Sequence, residues 1–410
     1  MAAIVMRIAL HVILALTRAP WRSRLGTSEG LLDASRETGV RPPWNAPKAV
    51  WKAAWSLQAR CLPLLHAADR LDLGCSLADT NVNLHCLWWK AIQGDEVAYA
   101  MLPPLSRRIV SRPLRALFPR LHHQNVAIRT AYLDAALGDA LARARAENVQ
   151  LVVVVLGGGF DTRALRFGGA RGVEFVETDL PAVVAAKRAL LARRLEPRAR
   201  RRAQALQPAR APADGLALPT LDALDMNDEA DRARFVASTL RSALARARAA
   251  ADASARRAHG GGRGRHADDA GADGAGAGGA DTGGASGVRT LIVAEATLLY
   301  VQPGSAAGTV RACVRECARE ARDAAARGAS DARGAPCAQL LFADRLPGTV
   351  PLGARDLDTA EARARERAAV ELWLGETADL RLDRYLVKPG MARQMGVASA
   401  LPLAAARALG

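Results

Sequence analysis

Leu151-Val152-Val153-Val154-Val155-Leu156-Gly157-Gly158-Gly159-Phe160-Asp161-Thr162-Arg163 runs six apolar residues, four of them valine, into three glycines and an acid. A short stretch that is apolar at every position and β-branched suits a strand buried on both faces of a parallel sheet. The glycines then let the backbone turn sharply and come close to a ligand, because no Cβ stands in the way. In doubly wound α/β folds the loop after the first strand, at its carboxyl end, is where nucleotide-like ligands sit. The dinucleotide fingerprint is not met, since after Gly157 and Gly159 a third glycine would fall where Thr162 stands. An ordinary tight turn would use the same glycines, so the triplet alone leaves a plain turn and a ligand loop both open.

The sequence downstream narrows the choice. Val173-Glu174-Phe175-Val176-Glu177-Thr178-Asp179 predicts a second strand ending in an acid, 20 residues after Gly159. A carboxylate there can accept both ribose hydroxyls of an adenosine; it can equally form a turn before the helix opened by Leu180-Pro181. Residues 221–228 predict a third strand running into an acidic loop, and residues 290–301 a fourth buried strand with one acid, Glu295, at its carboxyl end. A buried charge at Glu295 is costly unless it is paired or bound to a ligand. A helix with Cys313 and Cys317 follows, then a fifth strand, Ala338-Gln339-Leu340-Leu341-Phe342-Ala343-Asp344. Helices are expected at 44–65, where Trp51 and Trp55 share a face, at Trp88-Trp89-Lys90 after a cap at Asp79 or Thr80, at 125–145, and at 364–373. Residues 385–396 read as a basic tail.

Composition bounds the class. The chain has 410 residues, enough for one large or two modest domains with a substantial core. Half of it is apolar but only 4% is aromatic, so the core must be mostly Ala, Val and Leu. The formal charge is +16, yet of 57 basic residues only Lys48, Lys52, Lys90, Lys187 and Lys388 are lysine. The arginines are scattered among Ala and Gly without interleaved aromatics, which fits weak polyanion affinity and excludes a stacking platform for single strands. No specific nucleic-acid partner is expected. Six cysteines with no C-x-x-C pair make neither a disulfide framework nor a four-ligand zinc pattern, and His122-His123 reads as a solvated pair. Free thiols in a reducing compartment follow.

Residues 1–28 hold four arginines, no Asp or Glu, and an apolar run at 8–16. That is the profile of a cleavable targeting segment, and equally of a disordered start or a docked amphipathic helix. The run is too short to span a membrane, and no other stretch is long and apolar enough. A plastid or mitochondrion and the cytoplasm both stay open as destinations. Residues 251–287 are Ala, Gly, Asp and Arg with almost no large apolar residue, so they are expected to be a disordered insertion within the domain.

Four blocks together resemble the leucine carboxyl methyltransferase family of S-adenosylmethionine-dependent enzymes. Val155-Leu156-Gly157-Gly158-Gly159-Phe160-Asp161-Thr162-Arg163 is similar to its V-x-L-G-A/C-G-x-D-T-R motif. Glu177-Thr178-Asp179-Leu180-Pro181 is similar to E-V-D-x-P, with Lys187 on the following helix. Ala294-Glu295-Ala296-Thr297-Leu298-Leu299-Tyr300 is similar to A-E-x-x-L-x-Y, and Ile128-Arg129-Thr130-Ala131-Tyr132-Leu133-Asp134 to the family's arginine-bearing helix. The resemblance implies a doubly wound, Rossmann-like α/β class I methyltransferase sheet with an added N-terminal helical region, one domain over 44–396.

The same resemblance implies a cofactor site for S-adenosylmethionine. Arg129 takes the methionyl carboxylate, Gly157, Gly158 and Gly159 line the methionyl chain with Asp161 beside them, and Asp179 takes the ribose. Asp225, with Asp222 as the alternative alignment, lies near the adenine beside Met226, and Glu295 closes the site. Where the family has a basic contact to the carboxylate this chain has Trp88-Trp89, so either Lys90 substitutes or Arg129 acts alone. The implied reaction is methyl transfer to an oxygen nucleophile, a carboxylate of a small molecule or a protein C-terminus; a small-molecule hydroxyl and a cofactor-binding scaffold without turnover are the rivals. No metal and no chemical catalyst is nominated.

Overall fold

The computed structural model describes residues 87, 90, 91, 95–102, 120–192, 218–260, 287–327, 336–347, 349, 359–386 and 394–400. The expectations for 1–28, 44–65, Asp79, Thr80, Trp88, Trp89, the side chains of His122 and His123, and residues 261–286 lie outside the described residues.

Helix α1 (Glu96–Met101) is capped by Asp95, whose carboxylate accepts from the Ala98 N–H at 2.9 Å. Helix α2 (Arg120–Ala146) is long and rich in Ala, Leu and Arg, the best helix formers. It stops at Asn148, which takes φ 50°, the left-handed conformation that asparagine tolerates at a helix end. The chain then enters β1 (Gln150–Leu156), where every residue after Gln150 is buried, as an apolar run without alternation demands. Short α3 (Arg163–Phe167), β2 (Val173–Asp179), α4 (Pro181–Leu190) and β3 (Thr220–Ala223) follow. Next come α5 (Glu229–Phe235), a π turn at Val236–Leu240, α6 (Arg241–Gly260) and β4 (Val288–Glu295). The chain closes with α7 (Pro303–Ala326), β5 (Ala338–Asp344), α8 (Ala360–Ala378), β6 (Leu380–Leu386) and β7 (Gln394–Ala400).

The strands make one seven-stranded sheet in the order β3-β2-β1-β4-β5-β7-β6. β1 and β4 are parallel, with Val154 opposite Ile292, and β4 and β5 are parallel, with Ile292 opposite Leu340. β7 runs antiparallel between β5 and β6. The order reverses direction beside β1, the point at which doubly wound sheets bind ligands. This is the Rossmann-like α/β architecture expected. α6 packs on β1 and β4, α7 on β4 and β5, and α8 on β6. The central strands supply a core of Val152, Val153, Val154, Leu291, Ile292 and Leu340.

The chain divides into two compact units. One holds the described residues before Ala136 together with Gly157–Gly169 and Glu177–Leu224; the other holds Ala136–Leu156, Ala170–Val176 and the described residues from Asp225 onward. Among the described residues no helix is long and apolar enough to cross a membrane.

Several element boundaries correct the sequence reading. The insertion does not begin at 251, because α6 continues to Gly260. Its Ala- and Arg-rich composition favours helix locally, and Ala247 and Ala251 still find burial. The third strand, Thr220–Ala223, runs into the acidic loop as expected. The fourth ends at Glu295, because Ala296 takes φ 53° and starts a 3₁₀ turn at Leu298–Tyr300. The basic tail is instead flanked by two strands, β6 and β7, the second wholly buried although four of its seven residues, Gly396, Ala398, Ser399 and Ala400, are small with little β preference.

One of those small residues is dictated by packing. A Cβ at Gly396 would lie 2.4 Å from Phe342 Cζ and 2.9 Å from the Arg384 carbonyl oxygen. Gly396→Ala is therefore expected to destabilise the fold by about 1–3 kcal/mol through overpacking. Urea unfolding checks this: the midpoint should fall while the denaturant dependence stays unchanged.

Candidate functional site

The loop after β1 has the backbone that its glycines permit. Gly157 takes φ 60° and Gly159 φ 47°, a region that side-chain-bearing residues enter at a cost. The Gly158 N–H donates to the Thr178 carbonyl at 2.7 Å, and the Asp161 N–H returns to the Gly158 carbonyl at 2.7 Å. Asp179, at the end of β2, accepts from the Gly159 N–H through Oδ2 at 2.7 Å and from the Leu180 N–H through Oδ1 at 2.7 Å. Burial pushes this carboxyl up from its ordinary value, and those two donors and Lys187 oppose the rise. The side chain is only half-buried. Each oxygen keeps a lone pair beyond the one that its backbone donor uses, so a pair of vicinal hydroxyls can still be accepted.

Beneath the loop lies a network of buried charges that explains the D-T-R residues. The Arg163 side chain is 0% exposed; its Nη1 donates to Asp161 Oδ2 at 2.5 Å and its Nε to Asp134 Oδ1 at 2.7 Å. The Arg163 N–H adds a third bond, to Asp161 Oδ1 at 2.7 Å. Lys90 Nζ stands 3.5 Å from Asp161 Oδ2, both side chains buried. Burial alone would raise the Asp161 carboxyl; Arg163, Lys90 and Lys187 outweigh it and hold the group far below the usual carboxylate range. The Thr162 hydroxyl donates to Asp95 Oδ2 at 2.5 Å, and Arg166 Nη1 to Asp134 Oδ2 at 2.7 Å. On the other side, Lys187 donates to the Asp161 carbonyl at 2.8 Å and to the Glu177 carboxylate. Burial pushes Glu177 up to about 7 despite its lysine.

One unit thus brings together Lys90, Arg129, Gly157, Gly158, Gly159, Asp161 and Asp179. Arg129 is 8% exposed on α2. Asp161 turns its carboxylate into the ion network, and Lys90 contributes to the same network. The remaining candidates belong to the second unit. Asp225 is half-buried and accepts from the Asn227 N–H at 2.9 Å, while its own N–H donates to Asp231 at 3.0 Å. Met226 is buried, and its carbonyl accepts from Arg232 at 2.7 Å. Asp222, the alternative to Asp225, is half-buried in β3.

Glu295 ends β4 half-buried, and the turn after it is organised by a residue to which the sequence reading gave no role. Asp344, 0% exposed at the end of β5, accepts from the Thr297 and Leu298 N–H groups at 2.5 and 2.8 Å and from that of Leu299 at 3.3 Å. Arg163, Asp134, Glu177 and Lys187 were likewise quoted within motifs without a role. Lys187 carried a signal, as one of five lysines in the chain and set in the apolar helix Pro181-Ala182-Val183-Val184-Ala185-Ala186-Lys187. Asp95 carried none. Among the described residues no group of three or more His, Cys, Asp or Glu could hold a metal ion.

Comparison with known proteins places residues 95–251 in a match to the family described as leucine carboxyl methyltransferase. That span includes α1, the arginine-bearing α2, the glycine loop, Asp179 and Asp225. No protein of curated function matches the chain. Similar solved structures include an O-methyltransferase family protein from Burkholderia thailandensis, 11% identical, with 79% of this chain and 72% of that one covered and a TM-score of 0.29. The mitomycin 7-O-methyltransferase MmcR is 13% identical, with 96% and 75% covered and the same TM-score, 0.29. At that score neither likeness bears on fold or function.

Proposed function

We propose that this chain, whose residues 95–251 match the family described as leucine carboxyl methyltransferase, takes S-adenosylmethionine as methyl donor and transfers the methyl group to a carboxylate, of a small molecule or of a protein C-terminus. The observation that carries this reading is the family match spanning the glycine loop and Asp179, whose oxygens are poised at the loop's end. The residues suit the cofactor: a positive-φ loop that no Cβ obstructs, a half-buried carboxylate with spare lone pairs, and the Arg129 guanidinium for a carboxylate.

When bound, the donor supplies an activated methyl group: its C–S bond breaks as a C–O bond forms, a neutral thioether leaves, and no proton moves. A carboxylate acceptor is ionised at neutral pH and needs no general base. The protein's contribution is then to hold donor and acceptor in line and to exclude water. Asp179 and Arg129 would hold the two ends of the donor, with the buried ion network beneath the glycine loop.

The acceptor chemistry is tested on methylated products formed from tritiated S-adenosylmethionine and a mixture of carboxylate and hydroxyl acceptors. A methyl ester releases volatile methanol in mild alkali, whereas an ether does not. Alkali-labile label supports the carboxylate. Alkali-stable label moves the reaction to a hydroxyl, and binding without any label transfer leaves a scaffold.

A further inference from the structure

The buried pair Glu177–Lys187 is not used by methyl transfer, yet it lies against the loop that must hold the donor. Lys187 reaches from α4, 2% exposed, to two partners: the Asp161 main-chain oxygen at 2.8 Å and the Glu177 carboxylate on β2, which is also 2% exposed. Glu177 stands two residues before Asp179, whose Oδ2 accepts the Gly159 N–H. A single ammonium therefore ties the far end of the glycine loop to the strand that carries the ribose-type acid. The second Glu177 oxygen, Oε1, is buried and has no hydrogen bond among the described residues. Such a carboxyl is poorly compensated as an anion, and a proton can satisfy it.

We infer that Glu177 is a positioning residue: through Lys187 it sets the glycine loop against Asp179, and its protonation releases that hold and weakens binding of the methyl donor. The charged groups facing it are Lys187 from α4, Asp161 from the loop and Lys90 from the N-terminal helical region, with Arg163 behind Asp161. Burial, the largest influence, together with Asp161 raises the carboxyl, while Lys187 and Lys90 lower it; the balance lies at about 7. The direction follows. Below that pH the neutral carboxyl no longer neutralises Lys187, and the loop end loosens. Above it the ion pair forms and the loop is fixed, so donor affinity rises as pH increases through neutrality. Binding of the donor lowers the Glu177 pKa in return, since such coupling is reciprocal.

The role rests on the methyltransferase reading for its consequence but not for its first readout, which uses the protein without cofactor. Glycine-selective ¹⁵N spectra of the full chain between pH 6 and 8 should show the Gly159 amide titrating near neutrality. It should stop titrating in Glu177→Gln, and also in Glu177→Gln/Lys187→Met, which removes both buried charges should the single variant fail to fold. Calorimetric titration with S-adenosylhomocysteine should then show affinity rising by about fivefold or more over the same range in the natural protein, and flat in the variants. A Gly159 amide that does not titrate, or that titrates unchanged in the variants, overturns the positioning role. So does an affinity that rises equally in the natural protein and the variants. A titrating Gly159 amide in a protein that binds no S-adenosylhomocysteine supports the lock and overturns the methyl-donor reading instead.

Discussion

Replacing Asp179 with alanine is expected to weaken S-adenosylhomocysteine binding by about a hundredfold or more, the largest effect of any single change at the loop. A hydrogen bond to a charged group contributes about 1.5–3 kcal/mol, and two hydroxyls on one carboxylate make two such bonds. At about 1.4 kcal/mol per tenfold, their loss reaches two orders of magnitude. The same substitution frees the Gly159 N–H, so the loop loses its anchor as well as its acceptor. Asp179→Asn separates these effects, because it keeps the shape and one acceptor oxygen while losing the charge; its affinity should fall between the two. Calorimetry on folded proteins checks both variants. Asp179→Ala binding as tightly as the natural chain would leave Asp179 as a loop anchor only.

Replacing Arg163 with methionine should cost about 3–5 kcal/mol of stability at neutral pH, because it breaks a fully buried ion pair from one side. The guanidinium is 0% exposed and serves both Asp161 and Asp134, so no rearrangement at the surface can replace it. The pH dependence is a sharper test than the size. Asp161 is depressed in the fold, so its stabilisation is complete above the ordinary carboxylate range and is lost as pH falls through and below it. Without Arg163 the carboxylate is undercompensated and its pKa moves up, so protonation relieves the variant first. The stability gap between the two proteins should therefore narrow on acidification. Urea unfolding across pH 4 to 7 would show this, and a gap that stays constant would mean that lost packing, not lost charge, explains the cost.

The difference between what was legible in sequence and what was not follows the range of the interaction. The buried strands β1, β4 and β5 announce themselves because four or more consecutive apolar positions have nowhere to go but a two-faced core. The glycine loop is legible for a similar reason: Gly157 and Gly159 do adopt the positive φ for which glycine is the default. The acid that anchors the loop was legible from spacing, since the length of one β-loop-helix-β passage sets how far Asp179 falls from Gly159. These are local constraints, written in consecutive residues.

What stayed hidden depends on partners far apart in the chain. β7 holds Gly396, Ala398, Ser399 and Ala400 among its seven residues, a weak strand signal, and it is paired by β5 and β6 on both sides. Asp344 looks like the end of a strand; its four backbone donors, three of them from the turn after β4, appear only once β4 and β5 lie side by side. Asp161 reads as a loop acid next to a cofactor, yet its strongest partners are Arg163, Lys90 and Lys187, from three separate segments. A periodic pattern records which faces are buried, because burial of apolar surface is additive along the chain. Pairing of buried charges is not additive: each is tolerated only if one particular partner arrives from elsewhere. The sequence by itself therefore determined the strand core, the loop and its acid, whereas only the tertiary structure decided which charges neutralise one another beneath them.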